Sequence, residues 1–190
     1  MMNADLLVYQ AKAFYNAYIA LDQLSRDDSD TLLLLFAPLV VNGAFSVELA
    51  LKAILAKNQI EYGKEHNLLI LFQMLPKSFQ QELWAYLIEK APEYAGSEKG
   101  LDELILLSNA FVDWRYAFEG KPVPAIESRF LAAFANAAVR TMFSYYNADL
   151  LPATKTESNN EIEQRFHENR EKCKEINLKM IQKKTKEHQL

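Results

Sequence analysis

Residues 37–57 read APLVVNGAFSVELALKAILAK, and the reading of this stretch decides the fold. It carries apolar side chains at nearly every angle around a helix, so it is expected to form a central helix buried on all sides. Pro38, favoured in a first turn, sets its start near Ala37; the alternative start is Thr31. The apolar run over residues 32–41 falls short of the ~20 residues that a membrane span needs, and Pro38 and Asn42 interrupt it, so a soluble protein is expected.

Outward from this stretch the pattern stays helical. Residues 3–24 place Leu6, Leu7, Ala11, Phe14, Tyr18 and Leu21 at helical spacing. After the turn-like residues 58–66, Asn67 caps a short helix that must stop before Pro76, and Ser78 is the expected cap of the next. Residues 92–100 read as a loop, residues 101–119 as one helix stopped by Gly120, and the stretch after Pro124 as a last helix ending near Tyr146. The sum is an all-α, up-and-down bundle of five to six helices joined by short connections. Composition agrees: half of the 190 residues are hydrophobic, with only five Gly and six Pro to break long helices.

Character shifts at Pro152. Residues 1–151 hold 12 Lys and Arg against 18 Asp and Glu, whereas residues 152–190 hold 9 against 7, with Phe166 as their single aromatic. The expected organisation is therefore a bundle over 1–151 and a charged C-terminal arm over 152–190. In the arm Ile162, Phe166, Asn169, Cys173, Ile176 and Met180 alternate steps of four and three, the spacing of a heptad seam. The arm reads either as a helix that packs in cis, across a dimer or on another protein, or as a solvated charged tail.

Several chemistries find no support. A net charge of −4 gives no basic field for bulk nucleic-acid attraction. Cys173 is alone, which excludes an internal disulfide and suits a reducing cytoplasm. The first residues lack the basic, apolar and small-residue pattern of a secretion signal. No metal-ligand spacing joins Cys173 with His66, His167 and His188, and no glycine-rich phosphate loop is present, so neither metal nor cofactor is expected.

The charges inside apolar helices carry the functional reading. Glu48 and Lys52 lie four apart and share a stripe with Val41, Phe45 and Leu55, so Glu48 faces a neighbouring helix and needs a partner. Arg115, between Phe111 and Phe118, is the natural one, with Glu119 able to share it and Tyr116 beside it. This group is either a buried ion-pair network that fixes helix register or a polar groove for a phosphate or ribose. The first reading predicts a buried Arg115 bonded to Glu48 or Glu119.

These same residues carry a family resemblance. AFSVELALKAIL, KEHNLLILFQML and FVDWRYAFE together resemble the HEPN family, the higher eukaryotes and prokaryotes nucleotide-binding domain, through Glu48, Leu51, Lys52, Ala53, His66, Asn67 and Leu68. The resemblance covers residues from about 36 to 119 and implies a helical bundle that forms homodimers. Many members are metal-independent ribonucleases with an Arg followed four to six residues later by a His. Here Arg115 is followed by YAFEGKPVP without a His, so catalysis is not carried over. His66, Asn67 and Asn42 are auxiliary site candidates. The expectation is a non-catalytic dimeric module of a bacterial or phage stress, defence or regulatory system. Its groove is structural or takes a nucleotide or RNA phosphate; the alternative is an endoribonuclease with an Arg115-centred site.

Overall fold

The structure is a computed structural model that describes residues 4–25, 29–96, 98–115, 125–146 and 171. The chain divides into two units, Met1–Leu150 and Leu151–Leu190. The first unit is described below; of the second only Glu171, a helical residue, is described, so the seam expected along the arm lies outside the described residues.

The described residues form α1 (Ala4–Ser25), α2 (Ser29–Lys57), α3 (Leu68–Met74), α4 (Lys77–Lys90), α5 (Glu98–Leu107), α6 (Ala110–Arg115) and α7 (Ser128–Tyr146), with a 3-10 turn at Pro92–Tyr94 and no strand. The all-α bundle read from the sequence is the observed fold class. α2 is its axis, packed against α1, α3, α6 and α7. Leu51, Ala53, Ile54 and Leu55 on α2 are fully buried with Leu131, Phe134 and Met142 on α7. The segment Leu35–Lys57 is apolar enough to cross a membrane, yet 78% of its most apolar window is buried within the protein, as a core helix would be.

Gly43 sets how closely this axis is approached. A Cβ there would stand 3.0 Å from Tyr18 Cδ2 and 3.1 Å from Leu131 Cδ1, so the absent side chain lets α1 and α7 close on α2 together.

Of the two starts expected for α2 the one near Thr31 is observed: the helix begins at Ser29, and Pro38 lies inside it rather than in its first turn. Its ring faces solvent, where one missing backbone bond is tolerated. Two other local expectations are corrected. α4 starts at Lys77 after Pro76, and Ser78 is not its cap. Gln80 holds that corner instead, donating from Nε2 to the carbonyls of Gln73 and Leu75 at 3.1 and 2.8 Å.

The helix expected over residues 101–119 breaks at Ser108 and Asn109 into α5 and α6. The break has a tertiary cause. The Ser108 carbonyl accepts the Leu68 N–H at 2.8 Å, and Asn109 Oδ1 accepts from Asn67 Nδ2 at 3.1 Å. The turn thus satisfies an orphan donor at the start of α3, which a continuous helix would leave unpaired.

Candidate functional site

Glu48 and Lys52 project from the middle of α2, one helical turn apart, and both are buried, with 1% and 6% of their surface exposed. The Lys52 ammonium donates to Glu48 Oε1 at 2.7 Å. Glu48 Oε2 is also buried and has no hydrogen-bond partner among the described residues. Two opposite charges out of water tolerate each other because they meet directly; either alone would be costly.

The connection from α2 to α3 brings in the next group. α2 ends in a Schellman motif: Ile60 N–H returns to the Leu55 carbonyl and Gln59 N–H to that of Ala56, both at 3.0 Å, with Gln59 left-handed at φ 59°. Gly63, at φ 54°, makes a second reversal that a side chain would strain. Glu65 Oε1 then accepts both His66 N–H and Asn67 N–H at 2.8 and 2.7 Å, and Asn67 Oδ1 caps α3 by accepting Ile70 N–H at 3.0 Å. With its backbone held on both sides, His66 sets Nδ1 2.9 Å from Glu48 Oε1.

A carboxylate can only accept, so this contact places a proton on His66 Nδ1 and leaves Nε2 as the acceptor of the neutral ring. Half of the His66 side chain is exposed while Glu48 is sealed beneath it. The Tyr62 ring closes the same corner 5.4 Å from the Lys52 ammonium, and burial pushes its phenol pKa up.

The third wall is α6. Phe111 stacks on Phe45 of α2 with centroids 4.3 Å apart, and Trp114 meets Phe36 edge-on at 5.0 Å. The His66 ring lies 6.4 Å from Phe111, and the Arg115 guanidinium sits over Phe111 at 4.9 Å. One aromatic ring is therefore flanked by an imidazole and a guanidinium, each open to solvent.

Sequence reasoning placed Glu48 and Lys52 correctly as a buried pair and misassigned their neighbour. Arg115 is exposed, not buried. The position beside Glu48 belongs to His66, which had been an auxiliary candidate. The physical reason lies in the break at Ser108 and Asn109: α6 restarts there, stacks Phe111 on α2, and leaves Arg115 on the solvent side of that ring. Tyr116 and Glu119 lie outside the described residues. Asn67 serves as the α3 cap and the tie to Asn109. Asn42 bonds back to the Pro38 carbonyl of its own helix at 2.7 Å and takes no part in the cluster.

Residues 39–121 match the model of the HEPN domain family, a span that runs from within α2 past α6 and contains Glu48, Lys52, His66 and Arg115. Over this span the chain is similar to HEPN domains. No curated protein and no solved structure matches it. Within the matched span the Arg-to-His spacing of the HEPN ribonucleases is missing after Arg115. The fold instead brings His66 and Arg115 to one aromatic ring from elements almost 50 residues apart in sequence. Among the described residues no group of three His, Cys, Asp or Glu gathers as metal ligands. Glu48 Oε1 holds both Lys52 and His66, while Arg115 lies over the Phe111 ring.

Proposed function

We propose that this HEPN-like module binds a nucleotide or RNA phosphate between His66 and Arg115 at the Phe111 ring, without cleaving it, and works as a homodimer in a stress, defence or regulatory system. The family match supports a nucleotide- or RNA-related role. The observation that carries the site is the exposed Arg115 guanidinium over Phe111, with His66 on the same ring. Arg115 is exposed rather than sunk in the core, and a guanidinium at the surface can meet a phosphate with two parallel bonds. Phe111 adds a face that holds the guanidinium in place.

Fluorescence anisotropy of a labelled RNA oligonucleotide tests the reading. Arg115→Ala is expected to weaken binding about tenfold or more while leaving the unfolding midpoint within about 0.5 kcal/mol of the parent, as exposed substitutions do. Unchanged affinity in a folded Arg115→Ala variant contradicts the reading.

The His66 contact with Glu48 favours a second reading, a metal-independent endoribonuclease. An imidazole with its proton fixed on Nδ1 offers Nε2 to take a proton from a ribose hydroxyl, with Arg115 to steady the phosphate. RNA cleavage in chelator-treated buffer at neutral pH, lost in folded His66→Ala and Arg115→Ala, would establish this reading over simple binding.

A further inference from the structure

A second concave surface is built from residues that the anion groove does not use. A cleft of about 560 Å³ opens between α3, α4 and α5, with Phe72, Trp84, Ile88 and Leu101 as apolar walls. Phe72, Trp84 and Ile88 are only half-buried, so their faces are open to an occupant. Gly100 shapes the space. A Cβ there would stand 2.9 Å from Trp84 Cζ2, so the missing side chain lets the indole settle against α5, and any larger residue would displace it.

The cleft has a direction. Lys77, Gln81, Trp84 and Ile88 line it at steps of four, three and four along α4, so they share one face and the cleft follows that helix for about 16 Å. Trp84 and Ile88 lie toward one end and Lys77 at the other. Lys77 is the only charged side chain that lines it. Its ammonium is held in place: it donates to Gln80 Oε1 at 3.2 Å, and Gln80 is itself tied through Nε2 to the Gln73 and Leu75 carbonyls. Lys52, Lys99, Arg129 and Arg140 each meet a carboxylate, whereas Lys77 meets none among the described residues. An ammonium has three donors, so two remain for an anion. No side chain caps α4, which leaves the N–H groups of its first turn beside them.

We infer that this cleft binds a medium-chain aliphatic carboxylate, with its chain along Trp84 and Ile88 and its head group on Lys77. A single cation without a counter-charge, at one end of an apolar wall, fits an amphiphile with one anionic head. Ring geometry selects an aliphatic body over an aromatic one. Phe72 and Trp84 have centroids 6.0 Å apart and planes tilted by 48°, so a flat ring cannot stack on both, whereas a flexible chain conforms to each face. A chain of roughly ten carbons spans the distance from Lys77 to the Ile88 end. The inference goes beyond the proposed function and does not depend on the anion groove.

Titration calorimetry of the full chain with decanoate, kept below its micelle-forming concentration at neutral pH, tests it. Decanol serves as the uncharged counterpart, and circular dichroism checks that each variant stays folded. One decanoate per chain is expected, with decanol weaker by about tenfold or more. Octanoate should bind about fivefold more weakly, since it gives up two partly buried methylenes. Lys77→Met is expected to erase the preference for decanoate over decanol. Ala85→Glu sets a carboxylate on the cleft lining with a side chain that favours helix, so α4 stays folded while decanoate binding weakens about tenfold or more. The Trp84 indole N–H signal, identified by its loss in Trp84→Phe, should move on binding. No saturable binding, or uptake of several decanoates per chain, overturns the inference. So does a preference that survives Lys77→Met, an affinity unchanged in Ala85→Glu, or a Trp84 signal that stays still while decanoate binds.

Discussion

Glu48→Leu strikes the centre of the buried cluster, and its cost follows from what is left behind. Lys52, 6% exposed, loses the carboxylate 2.7 Å from its ammonium and has no water to replace it. Removing one partner of such a pair costs about 3–5 kcal/mol, which lowers the melting temperature of a chain this size by about 6–20 °C. Lys52→Met is milder, about 1–3 kcal/mol, because His66 still donates to Glu48 Oε1 and its half-exposed ring admits solvent. The double variant Glu48→Leu with Lys52→Met removes both charges and fills their volume, so it should return to within about 1 kcal/mol of the parent. The four proteins, unfolded in urea at neutral pH with constant m-values, give the coupling directly. A double variant whose loss is the sum of the two single losses, to within about 0.5 kcal/mol, would refute the reasoning, since additivity means that the charges do not depend on each other.

Two further outcomes follow from the packing of α2. Tyr146 donates to the Ala53 carbonyl at 2.8 Å, and burial first, then the charges of Asp5, Tyr145 and Tyr62, push its pKa up to about 12. The unfolded chain releases that proton near pH 10, so this contribution to stability is whole below pH 10 and is lost as pH rises through about 12; Tyr146→Phe should cost about 1 kcal/mol at pH 7 and flatten the alkaline decline measured by urea titration. Gly43→Val forces branched atoms into the space between Tyr18 and Leu131, and calorimetry should show a loss of about 1–3 kcal/mol; a gain would mean that α1 and α7 yield easily.

What the sequence disclosed about the molecule follows from the range of the interactions involved. α2 was legible because a helix apolar at every angle can only be an axis, and the α3 boundary was legible because Asn67 and Pro76 act on their own neighbours. The break at Ser108 was hidden, since its reason is the Leu68 N–H, 40 residues away in sequence. Glu48 and Lys52 could be paired from spacing alone, but spacing says only which residues share a face, never which side chain of a facing element arrives there. Arg115 was preferred for its chemistry, whereas the backbone of residues 59–67 delivers His66. The signal for that lay in the sequence: Glu65, His66 and Asn67 directly before an apolar helix form a polar cluster of the kind that locks a helix start, and a side chain locked there has a fixed direction.

The central claim is that His66 and Arg115 form one anion site over Phe111. Nitrogen-detected NMR of the three histidines, titrated with a nucleoside monophosphate, tests it most directly. The account predicts that the His66 ring signals move in a saturable manner, that His167 and His188 stay in place, and that the movement weakens about tenfold or more in Arg115→Ala. Saturable binding that leaves the His66 signals unmoved, or that survives Arg115→Ala intact, would contradict it.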